Sequence, residues 1–272
     1  MLNLPHGRFY LINVGFPLLC GVAIFLMFDL THLDVWISNW FFDPSVQKFP
    51  LDQSRLFELI THKKARIIPN WTGAIAVTGA VLSFVWPRLT AEKHARIIAL
   101  LETLKVAPVL KFATRFRRDF LFVALAFSVS TGFVHYFKNH TGVHCPIETT
   151  LYGGQAQKQE WYENFSLLHD VGAGRCWPAG HASSGFTMLA LYFVARRYRW
   201  RHAKAMLYGL LLLGLVFGTT RVLQGWHYMS HTLWSAVLVW FSCLLTAVAC
   251  YGSAALDRPP LAAREPRVEH DE

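Results

Sequence analysis

Charged side chains are scarce in this sequence. Asp, Glu, Lys and Arg make up only 16% of its 272 residues, where an ordinary soluble domain carries about a quarter. That shortage excludes a typical soluble fold. Acidic groups are the scarcer sign, 17 against 26 basic ones. No internal repeat is present. No cleavable signal peptide is evident either: the first apolar block is long and no small-residue cleavage site follows it. That block is therefore expected to stay as an uncleaved helix.

What the sequence has instead is apolar length. Hydrophobic residues form 53% of the chain and mean hydropathy is +0.29. They come in blocks near the roughly 20 residues a helix needs to cross a bilayer. Six spans are predicted, at 9–30, 67–86, 119–137, 182–195, 205–222 and 230–251. The fourth is the shortest and is expected to begin inside the protein. The fold class is all-α, an integral membrane bundle of six transmembrane helices, with 1–256 as one membrane domain. The Pro-rich, charged stretch 257–272 reads as a disordered cytoplasmic tail. Residues 34–66, polar and aromatic, are expected along the membrane surface. Residues 88–118 suit an interfacial amphipathic helix broken by Pro108. Trp71, Trp86, Trp226, Tyr228 and Tyr198, near span ends, suit an interfacial belt.

The net charge of +9 would suit a nucleic-acid partner, but the basic residues lie in loops between apolar blocks. They read as topology signals, and no nucleic acid is expected. Placing the N-terminus, 88–118, 196–204 and the tail on one side gathers 17 of the 26 Lys and Arg residues there. Both termini are then cytoplasmic, and residues 138–181 and 221–231 face outward together. A compact six-span chain without a long soluble domain suits a bacterial inner membrane, with the site periplasmic. Oligomeric state has no signature.

Three segments on that outward face concentrate polar groups: Lys138 to Pro146, Gly174 to His181, and Thr220 to His231. Ionisable groups at a membrane boundary are costly to desolvate and mark function. Phosphate transfer needs positive charge around the equatorial oxygens, an in-line nucleophile and a proton for the leaving oxygen. Arg221 offers a planar fork for two oxygens and Lys138 a point charge. His227 suits the nucleophile, forming a phosphohistidine, and His181 the general acid. Gly180 lets the backbone approach an anion. His231, four residues after His227, is placed to hold the nucleophile's second ring nitrogen. His62, His94, His135, His140, His169 and His202 receive no role.

These residues resemble the type 2 phosphatidic acid phosphatase superfamily. Its pattern is Lys, six residues, Arg-Pro; then Pro-Ser-Gly-His; then Ser-Arg, five residues, His, three residues, Asp. Here the chain reads Lys138, six residues, Cys145-Pro146; Pro178-Ala179-Gly180-His181; and Thr220-Arg221, five residues, His227, three residues, His231. The resemblance implies an outward-facing lipid phosphatase that needs no cofactor and no metal. Its implied substrates are lipid phosphates within the bilayer, such as undecaprenyl diphosphate, phosphatidylglycerol phosphate, phosphatidic acid or lipid A. With a lipid acceptor such as lipid A in place of water, the same chemistry is a phosphotransferase.

Four positions depart from the pattern. Cys145 stands for a phosphate-binding Arg, Ala179 and Thr220 for Ser, and His231 for the Asp that orients the nucleophile. Arg175 and His144 are the candidate replacements for the lost cation, and Glu148 or Asp170 for the lost carboxylate. Cys20, Cys243 and Cys250 fall in spans and read as packing residues. Cys145 and Cys176 share the outer loop, as free thiols or as a disulfide. A disulfide would close a loop of about 30 residues and contribute roughly 3–4 kcal/mol. Two further classes stay open. One is a metal- or haem-binding membrane protein using His227/His231 and His140/His144. The other is a weakened relative that binds phospholipid without turnover.

Overall fold

The structure is a computed structural model and describes residues 7–169 and 171–257. It is helical, with no strand among the described residues beyond two isolated bridges. We number the helices α1 (Gly7–Asp29), α2 (Leu33–Asn39), α3 (Arg55–Arg88), α4 (Ala91–Thr103), α5 (Ala107–Arg115) and α6 (Arg117–His140). There follow α7 (Gly180–Phe186), α8 (Leu189–Arg197), α9 (Ala203–Leu223) and α10 (Met229–Tyr251). Five of them, α1, α3, α6, α9 and α10, are long and apolar enough to cross a membrane. The sixth expected span is the pair α7–α8, interrupted at Thr187–Met188. Residues 1–6 and 258–272 lie outside the described part, so of the expected tail only Asp257 is seen.

The chain buries polarity and exposes oil, as a bilayer solvent requires. Along α1, Leu11, Phe16, Leu19, Val22 and Met27 are exposed, whereas Asn13 and Asp29 are buried. Helix α10 is the central post, packed against α1, α6, α7, α8 and α9. Its buried hydroxyls bond backward along the helix: Ser235 to the His231 carbonyl at 2.7 Å and Thr246 to that of Ser242 at 2.7 Å. The apolar core around it includes Phe122, Phe186, Leu189, Phe193 and Val239. Helices α7 and α9 approach closely because glycine faces glycine. A Cβ built on Gly185 would lie 2.9 Å from the Gly214 Cα, and one on Gly214 would lie 2.2 Å from the Phe186 ring.

Two corrections to the expected layout follow from backbone chemistry. Pro108 does not break the amphipathic segment but sits in the first turn of α5, where its missing N–H costs nothing. The break falls one turn earlier, where Lys105 takes a left-handed φ of 57°. Second, α3 does not start at residue 67. It runs back to Arg55, with the Ser54 hydroxyl accepting the Phe57 N–H at 3.3 Å as its cap. This extension, expected to lie flat on the surface, enters the bundle instead.

The two ends of the bundle differ. At one, Asp119 of α6 accepts hydrogen bonds from Tyr251 (2.8 Å) and Tyr198 (2.6 Å) and pairs with Arg197. At the other, residues 141–179 form a cap. Cys145 and Cys176 are joined by a disulfide, and the Cys176 N–H donates to the Val143 carbonyl at 2.8 Å. The Ile147 N–H donates to the Gly225 carbonyl at 2.9 Å, tying the cap to the α9–α10 turn. Asp29 accepts from the indoles of Trp161 (2.7 Å) and Trp234 (2.8 Å). Asp34 accepts the Ser230 N–H at 2.9 Å, at the start of α10.

Candidate active site

All three spaced motifs meet at this capped end, because each lies at a helix terminus. Lys138 is in the last turn of α6, Gly180 and His181 open α7, Arg221 closes α9, and His231 sits in the first turn of α10. Lys138 Nζ donates to the Arg175 carbonyl at 2.5 Å. Its Cε lies 3.3 Å from where a Cβ at Gly180 would be, so a larger residue there would press on the cation.

Arg221 is held from the side. Its Nη1 donates to Glu58 Oε2 at 2.8 Å and to Gln224 Oε1 at 2.7 Å, and its guanidinium lies 5.3 Å from the Trp226 ring centre. Gln224, fully buried, also donates to Glu58 Oε2 at 3.2 Å. The Trp226 indole donates to Asp52 at 2.7 Å. Gly225 turns the chain here with φ of 73°, and a Cβ would meet Phe49 at 2.3 Å, so only glycine fits this turn.

His227 follows that turn, is buried, and packs against the disulfide. Its Nδ1 lies 3.1 Å from Cys176 Sγ. A disulfide sulfur has no hydrogen to give, so any hydrogen bond here runs from Nδ1–H to sulfur. That contact orients the ring through Nδ1. Burial, reinforced by the charges of Lys138, His231 and Arg221, holds the His227 pKa well below the ordinary imidazole value. The ring is thus neutral and nucleophilic at neutral pH. His231 lies edge-on with ring centres 5.8 Å apart, and its buried Nδ1 has no hydrogen-bond partner. The second ring nitrogen of His227 therefore meets the sulfur, not His231 as expected.

His181 is buried, stacked on Phe217 with ring centres 4.6 Å apart. Its Nε2 faces the Thr61 carbonyl at 2.8 Å. A carbonyl only accepts, so Nε2 carries the hydrogen. Beside it lies His62, ring centres 4.7 Å apart, whose Nδ1 is 2.7 Å from Glu58 Oε1.

His144 and Glu148, two of the expected partners, engage each other instead. His144 turns to Glu148 at 3.4 Å, and Glu148 also accepts the Cys145 N–H at 2.9 Å. Glu148 is therefore not the carboxylate on the nucleophile. Asp170, the other candidate, lies outside the described residues. Arg175 offers Lys138 its carbonyl, while its own side chain is exposed. Tyr228, expected in an interfacial belt, is buried against Phe49 and Tyr152. The carboxylate that does enter is Glu58, in a stretch read as surface. Its one signal in the sequence is the four-residue spacing from Glu58 to His62, which puts both on one helix face.

Among the described residues, Cys145, Cys176 and His227 are the one group of three ligand-type side chains close enough to share an ion. The disulfide removes both thiolates as donors. A cavity of about 400 Å³ opens beside Gly180 between α3, α6 and α7, lined by Arg66, Asn70, Ser130, Thr131, Ser183 and Thr187.

Residues 119–253 match the PAP2 superfamily, so the family signature covers α6 to α10 with the cap between them. No curated protein and no solved structure gave a significant match. Members of the superfamily are phosphatases, which supports a phosphoric-ester hydrolase acting in or at a membrane.

Proposed function

From the chain's membership of the PAP2 superfamily through residues 119–253, we propose that it cleaves phosphate from a membrane lipid phosphate or diphosphate through a phosphohistidine on His227. The observation that carries this reading is the convergence of Lys138, Arg221 and His227 at one helix-terminal end of an otherwise apolar bundle. Arg221 and Lys138 neutralise the equatorial oxygens of the phosphoryl group, as side-chain cations replacing a metal. His227 Nε2 attacks phosphorus in line as the bond to the leaving oxygen breaks, and His181 acts as the general acid that protonates that oxygen. Water then attacks the phosphohistidine and frees the enzyme. An acceptor hydroxyl on a second lipid in place of water makes the same sequence a phosphotransfer. Neither step requires a cofactor.

The surrounding lipid-facing surface supports a substrate whose chains stay in the bilayer and whose phosphate lies at headgroup depth. The disulfide at the site's edge supports an oxidising compartment on that side. With α7–α8 as a sixth, broken span, both termini then lie in the cytoplasm of a bacterial cell and the site faces the periplasm. Metal binding as the main role fits the site poorly, since Lys138 and Arg221 repel a cation.

The test is phosphate release in mixed micelles from undecaprenyl diphosphate, phosphatidylglycerol phosphate, phosphatidic acid and lipid A, with and without an acceptor lipid and with chelator present. Wild-type protein should turn over at least one of these and His227→Ala none. Equal release by both proteins would end the proposal. Binding without release by wild type would mark a non-catalytic relative.

A further inference from the structure

Arg221 is anchored by a residue outside 119–253, the stretch that carries the family match. Glu58 sits in the first turn of α3, whose start is capped by the Ser54 hydroxyl at 3.3 Å. Its two oxygens have different partners. Oε1 meets His62 Nδ1 at 2.7 Å, one turn further along the same helix. Oε2 accepts from Arg221 Nη1 at 2.8 Å and from Gln224 Nε2 at 3.2 Å. Gln224 Oε1 accepts from the same Arg221 Nη1 at 2.7 Å. The three side chains thus close a ring, in which Gln224 is only 1% exposed. The adjoining turn delivers His227: the Trp226 N–H donates to the Arg221 carbonyl at 2.9 Å.

A guanidinium carries five N–H donors in one plane, two on each Nη and one on Nε. Both hydrogens of Arg221 Nη1 are taken up inside the ring, one by Glu58 and one by Gln224. The Nε–Nη2 edge makes no hydrogen bond to the described residues. Such an edge presents two parallel N–H groups, the pattern that fits two oxygens of a phosphoryl group side by side. Glu58 therefore selects which edge of Arg221 faces a ligand. It also sets a negative charge beside the phosphate-binding cation, and a carboxylate there repels a phosphate anion.

We propose that Glu58 is a positioning residue of this site, with two effects exerted through Arg221. It fixes the guanidinium so that the Nε–Nη2 edge meets the phosphoryl oxygens. Its charge keeps inorganic phosphate, the product, from being held too tightly. This role rests on the phosphoryl-transfer reading of the site, in which Arg221 holds phosphoryl oxygens. The two effects are separable by substitution. Glutamine keeps an oxygen for Arg221 Nη1 and drops the charge, whereas alanine drops both.

Full-length wild type, Glu58→Gln and Glu58→Ala in detergent would be compared in two ways. One is calorimetric titration with inorganic phosphate, and the other is kcat and KM on a long-chain alkyl phosphate. Glu58→Gln should bind phosphate at least about threefold tighter than wild type, since the repelling charge is gone and the fork is kept. Glu58→Ala, with the fork released, should bind phosphate more weakly than Glu58→Gln. It should also lower kcat by about tenfold or more, and Glu58→Gln by clearly less. The same Glu58→Ala change made in Arg221→Lys, where no fork remains to be oriented, should cost less than about twofold. Wild-type kcat in Glu58→Ala would overturn the proposal. So would a loss as large in the Arg221→Lys background as in wild type, which marks a purely structural role, or phosphate binding that is unchanged or weaker in Glu58→Gln. His227→Ala, run alongside, keeps the two ideas apart. If it stays active the phosphohistidine reading fails, and the phosphate titrations still decide the role of Glu58. If it is dead while the Glu58 variants behave as wild type, only the role of Glu58 fails.

Discussion

A buried imidazole without a carboxylate partner has one favoured state, the neutral one, and His227 is in that position. Its depressed pKa has a definite kinetic sign. On the proposed phosphohistidine reading the neutral ring attacks phosphorus, so lowering the pKa extends activity toward acid. The acidic limb of kcat/KM should therefore fall below pH ~6.5, the unperturbed imidazole value. Placing a carboxylate beside the ring with His231→Asp should move that limb upward, because a negative neighbour favours the imidazolium. A pH profile of both proteins checks this, and a limb that stays in place would contradict it. The sulfur contact yields a second expectation. Breaking the disulfide, by reductant or by Cys145→Ser, removes the fixed surface against which Nδ1 rests at 3.1 Å. Turnover should drop by about tenfold or more, roughly 1.4 kcal/mol on the barrier. Unchanged turnover by fully reduced protein would mean that the sulfur does not orient the ring.

Helices bring these residues together by ending in the same place, and one close helix contact lies on the helix that carries Arg221. Helix α9 meets α7 at Gly214, where any side chain would collide with Phe186 at 2.2 Å. Gly214→Leu should force the helices apart, costing about 1–3 kcal/mol in stability and shifting Arg221 relative to His181. Thermal unfolding in detergent together with phosphate release would show both effects. A fully stable and active variant would show that this contact does not position the site. At this scale the sequence was informative where periodicity is strong. The ends of α6, α9 and α10 lie within about three residues of those predicted from apolar runs, and Lys138, Arg221 and His227, singled out by spacing, lie at one end of the bundle. Helix α3 was not. The polar, aromatic stretch ending at residue 66 was read as surface, yet Glu58 and the Thr61 carbonyl pair with Arg221, Gln224 and His181. Pairing between distant segments leaves no local pattern to read. For the same reason, the choice of Cys176 over His231 as the neighbour of His227 Nδ1 emerged only from the fold.

Among the described residues, many apolar side chains face outward, and two of the polar networks lie at opposite ends of the bundle. One is the Asp119, Arg197, Tyr198 and Tyr251 clamp. The other is the site, covered by a disulfide-tied cap and by the start of α3. The family match over residues 119–253 supports a phosphatase there, and the first half of the chain contributes Glu58 as a partner of Arg221. Everything in this account depends on His227 forming a bond to phosphorus. Rapid acid-free quenching of the enzyme during turnover of a ³²P-labelled lipid phosphate tests that most directly. The account predicts an alkali-stable, acid-labile label on the peptide containing His227, absent from His227→Ala. Turnover without a labelled protein, or a label that persists in His227→Ala, would contradict it.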